Sequence, residues 1–217
     1  MSIVKFKNNG IRFDLQLVAS WIEPGSRVLD LGCGEGDLLL YLKTHKAIEG
    51  KGIEQDESKV VRCIERGLSV LQGDLNEEIE DFPDQAFDYI VLSQTLQQVY
   101  EPDRLIRSIL RIGRNGIVSF PNFSHWRIRL QLLLTGKAPV TPQLPYQWYD
   151  TPNIRVITIK DFILFSKQVG FMIIKAAAIN TQGQEKWGRM ITTFANLRAT
   201  YGIFQISLPP DRKQLDD

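Results

Sequence analysis

The sequence predicts a doubly wound α/β protein built on a mostly parallel, seven-stranded sheet with an antiparallel C-terminal edge. Three observations predict it. Short apolar runs recur along the first 120 residues, helical patterns separate them, and glycines cluster where the first run ends.

The first run is 28–31 (VLDL), and it stops at Gly32. Further strands are expected at 48–53, 68–72, 87–92 (FDYIVL) and 116–120. Between them, Leu38, Leu39 and Leu42 recur at helical spacing after the glycines, and Val60, Val61 and Ile64 do so after Asp56. Leu105, Ile106, Ile109 and Leu110 follow Pro102, a residue suited to a first helical position. In the last third, Trp126, Leu130, Leu133 and Leu134 share a helical face that Gly136 stops. Thr158 and Asp161 read as a capping box for a helix through Phe162, Phe165 and Val169, closed by Gly170. The runs 171–179 and 201–207 are expected to pair antiparallel at one sheet edge. No internal repeat or low-complexity segment is present.

Length and composition fit one domain over 1–217, with 1–10 and 208–217 expected to be loose. Lys and Arg number 26 against 25 Asp and Glu, so the net charge of +1 exerts no global pull on nucleic acid or an anionic membrane. No run reaches the length of a membrane span, and the N-terminus lacks the pattern of a secretory signal, so a cytoplasmic protein is the default expectation. Two cysteines, Cys33 and Cys63, are too few for a disulfide framework. With only His45 and His125 beside them, and no pair at ligand spacing, no metal site is expected.

The strongest chemical signal is Asp30-Leu31-Gly32-Cys33-Gly34-Glu35-Gly36. Glycines at a strand-to-helix turn let backbone approach a ligand, and the helix beyond offers unpaired N–H groups. A tight turn would look the same, but three carboxylates support a nucleotide site. Glu54 ends the second strand 20 residues after Gly34, where a carboxylate can accept both hydroxyls of a ribose. Asp74, followed by Leu75, comes after the third strand, where a carboxylate can take the exocyclic amine of adenine. Asp30 precedes the glycines. Dinucleotide sites want an apolar strand there and a third glycine where this chain has Asp37. An acid in that strand repels phosphate but suits the cationic sulfonium and amine of S-adenosylmethionine. Over roughly residues 26–120 these motifs together resemble the class I S-adenosylmethionine-dependent methyltransferase superfamily.

A narrower likeness covers residues 11 to 205. Asp14-Leu15, 22–27 (IEPGSR), 92–99 (LSQTLQQV), 120–122 (FPN) and 144–153 (LPYQWYDTPN) are similar to the methionine biosynthesis protein MetW family. The resemblance implies a methyltransferase fold in a protein that acts with homoserine O-acyltransferase. It carries the cofactor positions onto Asp30, Gly32, Gly34, Glu54 and Asp74, with Ser93 and Gln94 lining the methionine end and the substrate mouth. Two departures count against ordinary methyl transfer. Gln98 stands near where many small-molecule methyltransferases carry a histidine, and 92–95 (LSQT) lacks the Asn/Asp-Pro-Pro-Tyr motif of amine methyltransferases.

Other candidates have plainer readings. Cys33 in the glycine loop reads as packing, and His125 as a surface residue. No Gly-x-Ser-x-Gly elbow marks the chain as the acyltransferase itself. Residues 67–103 hold nine acids and no Lys or Arg, while 104–149 hold seven bases and no acid. These are two solvated faces that pair with each other, or a basic helix at 126–134 that docks an acidic surface. The long aperiodic loop 136–157 carries Tyr146, Trp148 and Tyr149 among prolines. It reads as a lid, as a docking surface, or as packing across the sheet edge.

The expected function is therefore an accessory protein of methionine biosynthesis that binds S-adenosylmethionine or S-adenosylhomocysteine and activates homoserine O-acyltransferase. The alternative is a methyltransferase acting on a small molecule, in which positioning rather than a base does the catalysis. A third is a binding module that has kept the fold and lost the ligand, against which the intact Glu54 and Asp74 argue.

Overall fold

The computed structural model describes residues 10–182 and 187–210. The described elements alternate as expected. α1 is Phe13–Trp21, β1 Arg27–Leu31, α2 Asp37–Lys46, β2 Glu49–Glu54, α3 Glu57–Glu65, β3 Ser69–Gln72 and the single turn α4 Leu75–Glu78. β4 is Phe87–Ser93, α5 Pro102–Ile112, β5 Gly113–Pro121, α6 Trp126–Thr135, α7 Ile159–Val169, β6 Met172–Gln182, β7 Trp187–Met190, α8 Ala195–Arg198 and β8 Tyr201–Ser207.

The strands form one sheet in the order β3-β2-β1-β4-β5-β8-β6-β7. The first five in that order are parallel, and β8, β6 and β7 join antiparallel. The expected mixed sheet is present with eight strands rather than seven. The addition is β7, which pairs only with β6 and whose four residues, Trp-Gly-Arg-Met, carry no alternating pattern. The strand order reverses between β1 and β4, so their carboxyl ends open a crevice of the kind where doubly wound folds bind ligands.

Side-chain alternation along the strands sorts the core into two faces. Leu29, Leu31, Ile90 and Leu92 pack with Ile106 and Ile109 of α5 and Phe162 of α7. Val28, Val91, Ile117 and Ile203 pack on the other face with Val18 of α1 and Leu38 and Leu42 of α2. Asp30 shares the parity of Val28, so the strand directs its carboxylate toward α1 and α2. The helix boundaries have local causes. Pro102 opens α5, and the Thr158 side chain accepts from Asp161 N to cap α7. Gly136 and Gly170 close α6 and α7 in the left-handed conformation.

Two expectations need correction. In α3 the buried residues are Val60 and Cys63, while Val61 and Ile64 face solvent, because the helix covers the sheet's exposed β3 edge. His125 is a buried N-cap, not a surface residue. The expected loose termini fall mostly outside the described residues, and Leu208 packs partly against the core. α1 had no counterpart in the strand–helix reading, since its Phe-Asp-Leu-Gln-Leu-Val start mixes apolar and polar residues that are all buried.

Candidate functional site

The crevice at the carboxyl ends of β1, β2 and β4 holds an open cavity of about 540 Å³. Gly32, Gly34, Glu54, Asp74, Leu75, Ser93, Gln94 and Gln98 all line it. Asp30 lies in a smaller adjoining space that shares Arg12, Gly32, Gly34 and Ser93 with the main cavity. The fold thus gathers expected site residues that are up to 68 positions apart in sequence, from Asp30 to Gln98.

The glycine loop is held from both sides. Gly32 N and Cys33 N donate to Ile53 O at 2.8 and 3.1 Å, tying the turn to β2. Gly32 has a φ of +72°, and a Cβ there would meet Thr95 Oγ1 at 2.8 Å. Gly34 also has a positive φ, but a Cβ on it would meet nothing within 4 Å, so its backbone faces open space. Glu54 fixes the loop electrostatically. Its Oε2 accepts from Gly34 N at 2.8 Å, and Oε1 accepts from Gln55 N and Asp56 N, each at 3.1 Å.

Asp30 is the outlier in polarity. It is 3% exposed, and its Oδ1 has no hydrogen-bond partner among the described residues. Burial pushes its carboxyl up to about 7, with Arg12 opposing the shift and Glu54 adding to it. An uncompensated buried carboxylate destabilises a fold, so one beneath a glycine loop points to a site for positive charge. Asp74 caps α4, its Oδ1 accepting from Asn76 N at 2.8 Å. Ser93 Oγ sits 3.1 Å from Ser119 Oγ across β4 and β5.

The mouth side contains residues the sequence reading did not place. Asp14, on α1, is 1% exposed and receives Arg12 Nη2 and Gln94 Nε2, each at 2.9 Å. Gln94 has a φ of +57°, an uncommon conformation for a side-chain-bearing residue and one that clusters at functional sites. Its carbonyl accepts from Gln97 Nε2 and, at 3.4 Å, from Gln98 Nε2. Gln97 O in turn accepts from Ile154 N and Arg155 N, each at 3.0 Å, which fastens the end of loop 136–157 to the cavity wall. Asp14-Leu15 stood in the sequence as a family motif, but nothing local announced that Asp14 would be buried against Gln94.

Other expected residues lie elsewhere. Tyr146, Trp148 and Tyr149 line none of this cavity, and all three are exposed, Trp148 at 75%. Packing across the sheet edge therefore does not describe these three side chains. Asn122, of the FPN motif, is a structural bracket: Nδ2 donates to Asn196 O and Ala199 O, and Oδ1 accepts from Ser124 N. Cys33 and Cys63 are buried, and burial pushes the Cys33 thiol far up, which removes a nucleophilic thiolate. Among the described residues no group of three or more potential ligands could hold a metal ion. The acidic and basic segments pair in part, through Arg111 with Glu80 and Asp84 and Arg114 with Asp88.

Comparison with known proteins agrees with this geometry. Solved structures described as S-adenosylmethionine-dependent methyltransferases share the fold. One from Archaeoglobus fulgidus is 15% identical with a TM-score of 0.67, covering 93% of this chain and 95% of its own. One from Mesorhizobium loti is 17% identical with a TM-score of 0.66, covering 92% and 99%. The fold is that of the class I methyltransferases.

The bifunctional methionine biosynthesis protein MetXA/MetW of Rhodopirellula baltica is 35% identical over 160 residues, 70% of this chain and 26% of that protein. The ubiquinone/menaquinone biosynthesis C-methyltransferase UbiE of Xanthomonas oryzae pv. oryzae is 31% identical over 103 residues, 44% of this chain and 41% of that protein. The chain thus spans well under half the length of these relatives. The family profile described as methionine biosynthesis protein MetW matches residues 12–206, nearly the whole chain, and the chain belongs to that family.

Proposed function

We propose that this protein binds S-adenosylmethionine, or its demethylated product, in the glycine-loop cavity and serves as an accessory subunit that activates homoserine O-acyltransferase. The residues fit the ligand. The unpartnered Asp30 carboxylate would answer its cationic end, Glu54 its ribose hydroxyls and Asp74 its adenine amine. Leu75 would pack against the base, the open backbone at Gly34 would admit the chain, and Ser93 would line the methionine end.

The observation that carries the accessory role is an apolar face with no work inside the fold. On α6, Leu130, Leu132, Leu133 and Leu134 are all exposed, Leu133 at 81%, and only Ile128 is buried. Loop 136–157 adds the exposed Tyr146, Trp148 and Tyr149. Contiguous apolar residues left in water mark interaction surfaces, and Trp and Tyr dominate binding hot spots. A relative whose name joins MetXA and MetW in one chain supports the same partnership. The tie from Gln97 to Ile154 and Arg155 supplies a physical link between cavity and loop. Through it, bound ligand would bias partner affinity and report the end product of the pathway, provided the ligand binds the free and partnered forms differently.

A second reading, methyl transfer to a small acceptor, is favoured by the likeness to the UbiE C-methyltransferases. Here Gln94 and Gln98 would orient an acceptor at the mouth. No histidine lines the cavity, so positioning would carry catalysis.

Isothermal titration with S-adenosylmethionine and S-adenosylhomocysteine tests the shared premise. Wild type should bind both, and Asp30→Ala should weaken S-adenosylmethionine at least about tenfold, as loss of a buried charge-assisted contact does. Equal binding by Asp30→Ala would contradict the assignment of the cationic end to that carboxylate.

A further inference from the structure

A second cavity, also of about 540 Å³, opens between the start of α6, residues 140–144 and the β6–β7 pair. It shares no lining residue with the glycine-loop cavity. Its polarity is the reverse. Among the described residues no Asp or Glu lines it, while Arg127, Arg189 and His125 do.

His125 is 6% exposed, and its Nδ1 accepts from Arg127 N at 3.3 Å. That bond leaves the ring proton on Nε2, which becomes a donor. Nε2 is buried and has no hydrogen-bond partner among the described residues. Thr181, 4% exposed, lines the same cavity, and its Oγ1 is likewise buried without a partner. Its neighbour Thr200 is already engaged, accepting from Thr181 N at 3.1 Å and donating to Ile179 O. The cavity also meets the positive end of the ten-residue helix α6. Buried polar groups in native structures normally have partners, so two unpartnered side chains in one basic cavity call for a ligand.

We infer that this cavity is a second binding site, for a small carboxylate. The carboxylate would accept from His125 Nε2 and Thr181 Oγ1, and Arg127 and Arg189 at the exposed rim would supply charge. Ile128, Val140 and Leu144 would cover a short apolar body, which inorganic phosphate lacks. Burial, reinforced by Arg127, pushes the His125 ring below its ordinary value, so the floor donates hydrogen bonds without adding charge, and the charge that meets a carboxylate comes from the two arginines. The inference stands apart from the proposed function, since it uses none of the glycine-loop residues.

Isothermal titration of the full chain with sodium succinate tests it, with sodium phosphate at matched ionic strength as the comparison. Succinate should bind saturably and more tightly than phosphate, and saturating S-adenosylhomocysteine should not displace it. Thr181→Val should weaken succinate about three- to tenfold, the worth of one neutral hydrogen bond, without lowering the melting temperature. Arg189→Ala should weaken it further. Absence of saturation, equal or tighter phosphate binding, displacement by S-adenosylhomocysteine, or wild-type affinity in both variants would each overturn the assignment.

Discussion

Residues 27–121 and residues 126–157 draw on the same stock of apolar side chains and use it in opposite ways. In the first region Leu29, Leu31, Ile90, Ile106 and Ile109 are all fully buried, and the polar residues converge on one cavity. In the second region Leu130, Leu132, Leu133, Leu134 and Trp148 lie exposed. Both regions are ordered by local chemistry: α5 opens on Pro102, and α6 opens on the His125 cap and closes on Gly136. The difference lies in what covers them. The core of the first region is closed by α1, α7 and β8 of the same chain, while the second region keeps much of its apolar surface in water. Burial in the first explains stability, and exposure in the second is what the proposed partnership would explain.

This contrast can be broken by substitution, and the largest effect belongs to the core. Ile106→Ala should cost about 2–5 kcal/mol of unfolding free energy in urea titrations, the usual cost of emptying a fully buried aliphatic site. A loss below 1 kcal/mol would mean that α5 does not anchor the sheet as described.

Next comes Asp30, the polar exception inside that core. Its carboxyl titrates near 7 in the folded chain against an ordinary 3.8. Between those values the native state holds a proton that the unfolded chain has lost, so stability should fall as pH rises from about 4 to 7 and then level off. Asp30→Asn should remove this contribution and raise stability at pH 8 by on the order of 4 kcal/mol, followed by thermal melts across pH. Ligand binding sharpens the test. A cationic ligand favours the ionised carboxylate, so S-adenosylmethionine affinity should rise with pH through that range in wild type and stay flat in Asp30→Asn.

The smallest effect is expected on α6. Leu133→Ala should change stability by less than about 0.5 kcal/mol, since the side chain touches almost nothing in the free chain. A large loss would place Leu133 in a core and remove the argument for an interface.

The same contrast explains what the sequence makes legible. The parallel half was readable because β1 stops at Gly32, β2 at Glu54 and β3 at Gly73, and because α2 and α5 keep an apolar period, as at Leu105, Ile106, Ile109 and Leu110. Asp30, Gly34, Glu54 and Asp74 were readable as a cluster because they end successive strands of one crevice. Three kinds of feature were not readable. β7 has no pattern of its own and forms by adding to β6. Asp14 meets Gln94 across 80 residues, a contact no local rule gives. His125 looks like a surface residue until its Nδ1 is seen capping α6 and its Nε2 left unpartnered. Apolar periodicity also identified α6 as a helix without saying whether its face would be covered, since a period fixes the face and not its surroundings.

The most direct test of the account is the rate of the homoserine O-acyltransferase from the same genome, measured with and without this purified protein. The account predicts a clear rise with wild type, and loss of that rise with Leu133→Asp or Trp148→Ala at unchanged melting temperature. An acyltransferase rate indifferent to the wild-type protein would contradict the accessory role. If S-adenosylmethionine were still bound tightly, that result would leave methyl transfer as the reading to pursue.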